Sequence, residues 1–429
     1  MSTVEQPVPG GAGSKLDIQG AAGIYAATWQ DLHVRADHVV EDKRAFTARF
    51  TFTTKLHPAP VTAQCNMVSG AGKKALASML ADGLGLLDAR EYVEALCQGV
   101  MAKHTAGEPV IALDTVGEPP PLAYLLRPLI VARHPVLVYG DGGTGKSTTA
   151  CWLALLVQHG LAHAGVMANG AAGNVLYHDY EATAEDVGRT MTRLWRGMGQ
   201  AGQPSVLYRR GSQALVHEAD QLRRIVLDNA VQWVVVDSAV GALQGDMNSP
   251  TDVGLFFGAL RTLGVGVLIL AHTQKAGEHK TPLGSGQWWN QAREVYEVAA
   301  APGAGNSLTV ALYHRKANYR RKLPPWGLRF DFGEREDDDT SNIVVGRTDV
   351  TIVPELAEKL THRDRIAGVL KRGKATVRDI AEALGLGEDV VRIVLRRYSQ
   401  LFGQDVSIRP PAWFLFAPEQ SAETEHDPF

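Results

Sequence analysis

The residues of this chain whose types and spacing point to chemistry are residues for handling phosphate. Gly140-Asp141-Gly142-Gly143-Thr144-Gly145-Lys146-Ser147, followed by Thr148, fits the pattern G-x-x-x-x-G-K-[ST]. It stands directly after the β-branched run Pro135–Tyr139 and opens a stretch of helical character, Ser147–Val157, which is the strand–loop–helix context the pattern requires. Glycines let backbone N–H groups turn inward around an anion, Lys146 adds a point charge, and the Ser147 hydroxyl is suited to Mg²⁺. The helix N-terminus favours negative charge at the same place. The chemistry expected is binding of ATP with Mg²⁺.

Three further polar groups end apolar runs. Val231–Asp237 closes in a carboxylate, Asp237, placed to hold the magnesium with Ser147. Ser238, not glutamate, follows it, so a carboxylate that activates water must come from elsewhere. Glu181, ending Asn174-Val-Leu-Tyr-His-Asp-Tyr-Glu, is the expected base, with Asp179 as its competitor. His272 ends the run Val267–His272 and is placed to sense the terminal phosphate.

These groups need elements to position them. From about Leu122 to Phe332 the chain alternates β-branched runs (Pro135–Tyr139, Asn174–His178, Gln232–Val236, Gly266–Leu270, Ser307–His314) with helical stretches, a pattern that predicts an α/β fold with a mainly parallel sheet. Upstream, residues 1–23 lack periodicity and read as a flexible tail. Residues 24–117 read as a small α+β domain: Phe46, Ala48, Phe50 and Phe52 alternate with polar residues on a strand, and Lys73–Val100 reads as a helix over it. Prolines at 119–121 mark the connector.

Downstream, an acidic stretch from Glu334 to Asp339 precedes a last strand near residue 345. Residues 355–417 then carry three amphipathic helices, Arg363–Arg372, Val377–Leu384 and Asp389–Leu401, and a strand pair around Asp405–Ile408 and Trp413–Phe416. That order is the pattern of a winged helix, with Arg392, Arg396 and Arg397 on its third helix where duplex DNA would be read. A protein-docking role for such a module stands beside the DNA reading. Residues 418–429 read as a second flexible tail.

Composition narrows the classes. The 429 residues are 45% hydrophobic and 21% charged, within the globular range, and 43 Lys+Arg against 46 Asp+Glu leave a net charge of −3. Nucleic-acid binding therefore has to come from local basic patches rather than bulk charge. Cys65, Cys97 and Cys151 form no C-x-x-C pair, against a disulfide framework or a zinc site. The apolar runs fall well short of the ~20 residues that span a bilayer, so the expectation is a cytoplasmic protein with no membrane partner.

The order of Gly140–Ser147, Leu176-Tyr-His-Asp-Tyr-Glu181, Val-Val-Val-Asp237-Ser, Ala271-His272-Thr-Gln-Lys275, Gly284-Ser285-Gly286 and Lys316-Ala-Asn-Tyr319 resembles the RecA-like hexameric ATPases of the plasmid RepA replicative-helicase type, relatives of the DnaB helicases. The resemblance covers roughly Leu122–Phe332. It implies a homo-oligomer, expected to be a hexamer, with ATP between subunits and single-stranded DNA in a central channel. It also implies that Lys316 and Arg320 act in trans on the neighbour's nucleotide, although Arg315 and Arg321 stand beside them, and that His272 is the sensor. Lys275 and Lys280 would lie on a channel loop that contacts the DNA backbone. The activity implied is that of an ATP-dependent DNA helicase or translocase. A recombinase-like repair ATPase, or a DNA-binding regulator switched by ATP, are the alternatives.

Overall fold

Alternating apolar and polar residues build the first of the two units into which the chain divides, Met1–Pro121 and Leu122–Phe429. The computed structural model describes residues 4–7, 15–21, 23–107, 110, 112–113, 117–118, 120–170, 173–273, 284, 286–333 and 341–416. The first unit is an antiparallel sheet in sequential order, β1 (Val4–Pro7), β2 (Lys15–Ala21), β3 (Ile24–Trp29), β4 (Leu32–Asp42), β5 (Ala45–Thr53) and β6 (Val61–Asn66), with helices α1 (Gly70–Leu84) and α2 (Ala89–Ala106). Phe46, Phe50 and Phe52 are buried with Leu80, Tyr92 and Leu96 of the helices, so the alternation in β5 marks core.

Two expectations are corrected here. Residues 15–21 are a strand rather than tail: β2 pairs with β3, and Leu16 and Ile18 are buried in the core. The short alternation Leu16-Asp-Ile18 is hidden in sequence by its Gly and Ala flanks. The single helix expected over Lys73–Val100 is two, because Gly85 sits at φ 68° and its N–H and that of Leu86 donate back to Ala81 O and Leu80 O, a stop that a residue with a Cβ adopts at a cost.

The second unit opens with the short strands β7 (Tyr124–Arg127) and β8 (Ile130–Val131), followed by β9 (Pro135–Gly140), α3 (Lys146–His159), β10 (Ala162–His163) and β11 (Val166–Ala168). Next come β12 (Asn174–Asp179), α4 (Ala184–Gly197), β13 (Leu207–Arg210), α5 (Leu215–Asp228), β14 (Val231–Asp237), α6 (Ala239–Leu243), α7 (Pro250–Thr262) and β15 (Gly266–His272). The core ends with α8 (Gln287–Gln291), β16 (Glu294–Pro302), β17 (Ser307–Ala317), β18 (Trp326–Asp331) and β19 (Val344–Thr348).

Nine of these strands form one sheet in the order β13-β12-β14-β15-β9-β16-β17-β18-β19, parallel from β13 to β16 and antiparallel from β16 onward. Its central strands are apolar on both faces, as a sheet covered twice must be. Val136, Val138, Tyr177 and Val235 pack with α3 and α4, while Leu137, Tyr139, Val234 and Ile269 pack with α5, α6 and α7.

The C-terminal segment lies within this second unit. It comprises α9 (Pro354–Ala357), α10 (His362–Leu370), β20 (Ala375–Thr376), α11 (Val377–Leu384), α12 (Glu388–Arg397), β21 (Phe402–Asp405) and β22 (Ala412–Leu415), with strand order β20-β22-β21 and a small core of its own around Ile366, Ile380, Val391 and Leu395. It is tied back to the large sheet. Lys359 Nζ and Arg315 Nε donate to the buried Glu297 carboxylate, and the Tyr313 hydroxyl donates to Leu356 O. The second expected tail, 418–429, lies outside the described residues. No helix among the described residues is long and apolar enough to cross a membrane.

Candidate active site

The parallel strands all point their carboxyl ends to one edge, where the ends of β9, β15, β14 and β12 stand side by side. Gly140 is paired with His272, and Asp237 with Asp179. Gly140 is confined to glycine by packing, since a Cβ there would meet Val298 O at 2.4 Å. The loop turns at Gly143 and Gly145, at φ 72° and 77°, a left-handed region open to glycine, and delivers Lys146 and Ser147 to the first turn of α3.

Lys146 Nζ donates to Gly140 O at 3.0 Å and Asp141 O at 2.7 Å. Burial pulls its pKa down against the opposing charges of Asp237, Glu181 and Asp141. The Thr144 hydroxyl donates to Asp141 O. The Asp141 side chain accepts from the Thr273 hydroxyl.

Asp237 is almost fully buried, and burial raises its carboxyl above the usual range while hydrogen bonds with the Ser147 and Tyr177 hydroxyls oppose that rise. Tyr177 Oη donates to Oδ2 at 2.7 Å. A desolvated carboxylate beside a serine hydroxyl at a helix start is a hard-oxygen donor set that fits Mg²⁺.

The two candidate bases separate cleanly. Asp179 is buried and its oxygens are occupied: Oδ1 accepts from the N–H of Glu181 at 2.9 Å and of Ala182 at 3.2 Å, and Oδ2 accepts from the Tyr208 hydroxyl. It holds the turn. Glu181, half exposed on that turn, faces the P-loop, where it accepts a hydrogen bond from the Ser238 hydroxyl and lies 3.9 Å from His272 Nε2.

Together these groups enclose a cavity of about 340 Å³, lined by residues 142–148 with Glu181, Asp237, Ser238, His272, Leu308 and Phe332. Thus Gly142, Gly143, Thr144, Gly145, Lys146, Ser147, Thr148, Glu181, Asp237 and His272 line one cavity, whereas Gly140 and Asp141, also expected in the nucleotide site, do not line it. Ser238, Tyr177, Leu308 and Phe332 are additions. Ser238 was visible only as the residue that is not glutamate, and the others carry no local signal because they arrive from separate strands.

The cations expected to act in trans are placed otherwise. Arg320 is turned into its own chain, with Nε 2.6 Å from the fully buried Glu294 and its Nη atoms donating to Pro128 O and Leu129 O. Lys316 Nζ donates to the carbonyls of Trp289, Asn290 and Ala292 at the end of α8. Both are held within their own chain, Arg320 by a buried carboxylate that would be costly to leave unpaired and Lys316 by three backbone carbonyls. Arg321 and Lys322, next along the chain, are exposed. On α12, Arg392, Arg396 and Arg397 are all exposed, and Arg392 pairs with Glu388 and Asp389 of its own helix. Lys275 and Lys280 lie outside the described residues.

Residues 102–278 match the family of AAA domains known as AAA_25. The matched stretch takes in the P-loop, Glu181, Asp237 and His272. No curated protein matches the chain. Among solved structures, this chain is similar to a KaiC-like protein from the hyperthermophilic archaeon Pyrococcus horikoshii at 17% identity, over 52% of this chain and 93% of that one, with a TM-score of 0.35.

Proposed function

We propose that the protein hydrolyses ATP to drive movement along DNA, as a translocase or helicase working in a ring of identical subunits. The observation that carries the hydrolytic part is the single cavity in which P-loop, Ser147–Asp237 pair and Glu181 meet. Backbone N–H groups of residues 142–148 and the Lys146 ammonium hold the polyphosphate. Ser147 and Asp237 would hold Mg²⁺, which would supply charge neutralisation at the phosphate oxygens. Glu181, fixed by Ser238 and the Asp179 turn, orients a water and takes its proton as the water oxygen bonds to the γ-phosphorus and ADP leaves.

His272 supports the coupling part. It faces Glu181 from the end of β15, immediately before the segment that contains Lys275 and Lys280. Loss of the γ-phosphate would thereby reach a basic segment whose charge suits a single strand. The deciding measurement is steady-state ATP turnover with and without single-stranded DNA over a range of salt concentrations. Stimulation that fades as salt rises supports a motor on the DNA backbone. Turnover indifferent to single strands but altered by duplex supports the second reading, an ATP-switched regulator, which the Lys359–Glu297 link between sheet and C-terminal segment favours.

A further inference from the structure

The cavity has two flanks of opposite character. In the sheet, β12, β14 and β15 lie on one side of the P-loop strand β9, and they contribute Glu181, Asp237, Ser238 and His272. On the other side of β9 lie β17 and β18, and what they contribute is Leu308 and, one residue past β18, Phe332. The P-loop runs between a polar flank and an apolar one.

The apolar flank is built to hold its shape. The Phe332 N–H donates to Asn306 O at 2.9 Å, and Phe332 O accepts from Arg193 Nη2, which also binds the Ser341 hydroxyl. Leu308 packs directly against the loop: a Cβ on Gly145 would lie 3.2 Å from Leu308 Cδ2. Both side chains touch the main core yet remain only half-buried, facing the cavity.

From this we infer that Leu308 and Phe332 form the wall on which the nucleobase of the bound nucleoside triphosphate rests, and that the wall accepts any base. This rests on the nucleotide-binding reading above and names its substrate class. With the terminal phosphate directed toward Glu181, ribose and base extend over the P-loop to the other flank, where an aromatic ring and a leucine offer a π-face and apolar contact. Neither side chain carries a donor or acceptor. The wall therefore registers that a base is present rather than which base it is, as stacking platforms do.

The test is calorimetric binding of ATP and of ribose 5′-triphosphate, which lacks the base, in Mg²⁺, to the wild type and to Phe332→Ala, Phe332→Trp and Lys146→Ala. Phe332→Ala should weaken ATP by roughly 5- to 150-fold, the range for losing one base–aromatic contact, and leave ribose 5′-triphosphate within about twofold. Phe332→Trp should restore ATP, which separates stacking from support of the fold. In the wild type GTP, CTP and UTP should bind within about tenfold of ATP. Equal weakening of both ligands, or no weakening of either, overturns the wall. A preference for ATP beyond about a hundredfold overturns its indifference. If Lys146→Ala abolishes binding while Phe332→Ala changes nothing, the wall fails and the phosphate site stands; a wild type that binds neither ligand refutes both.

Discussion

Glu181 and Asp179 stand two residues apart, both at the end of β12, and only contacts distinguish them. One carboxylate is spent on backbone N–H groups and the other faces the P-loop. Glu181→Gln should bind ATP normally and lose about 10²- to 10⁴-fold in kcat, measured in single turnovers alongside equilibrium binding. Ser238→Ala, which removes a hydrogen bond to a charged group, should lose about 10- to 100-fold in kcat with little change in affinity. Equal loss of affinity in both variants would mean that this carboxylate is structural. The P-loop, Asp237 and His272 were legible because each is declared by the residues around it in the chain. Tyr177 and Ser238 were not, since a hydroxyl's partner is set by which strands lie side by side, and β12 meets β14 across some sixty residues of sequence.

At the level of elements, apolar periodicity located the parallel strands β9, β12, β14 and β15 and the three C-terminal helices but not β13, and it failed where a short alternation was flanked by small residues, in β2, or where one glycine divided a helix, at Gly85. It was also silent on β16, whose Glu294 and Glu297 look unsuited to a buried strand until Arg320 and the Arg315–Lys359 pair are seen to neutralise them. Basic residues after β17 look like surface charge in sequence for the same reason. Arg320→Ala should therefore destabilise the isolated chain by about 3–5 kcal/mol, the cost of stranding a buried carboxylate, as read from denaturant midpoints; a residue that acted only on a neighbouring subunit would leave those midpoints unmoved. His314, stacked on Tyr296, accepts from the Leu323 N–H and is pushed down to about 4 by burial and then by Arg320. Since that lies below the unfolded value near 6.5, its contribution to stability is complete above pH 6.5 and is lost as pH falls toward 4. Between pH 7 and pH 5 about 2 kcal/mol should disappear, and His314→Asn should flatten that slope.

On the scale of the whole molecule, sequence supplied the order of parts but not their attachment. The C-terminal segment is a separate small core by its apolar contacts, yet Lys359 binds it to Glu297 of β16, the neighbour of the P-loop strand, and Leu356 to Tyr313 of β17. Substituting Lys359→Ala should leave basal ATP turnover within about twofold and weaken any change in turnover caused by duplex DNA, because Arg315 still neutralises the buried Glu297 carboxylate when Lys359 is lost while the link between the two parts is gone. Identical duplex responses in variant and wild type would show that the parts act independently. The alignment of Gly140, His272, Asp237 and Asp179 across four neighbouring strand ends has a consequence for the history of the sequence. Losing or gaining one residue inside any of those strands would carry its end group ~3.3 Å away and turn it to the opposite face, so a change of length is accommodated in the connections at the far edge of the sheet, and the interior of each strand can vary among apolar residues but not in count.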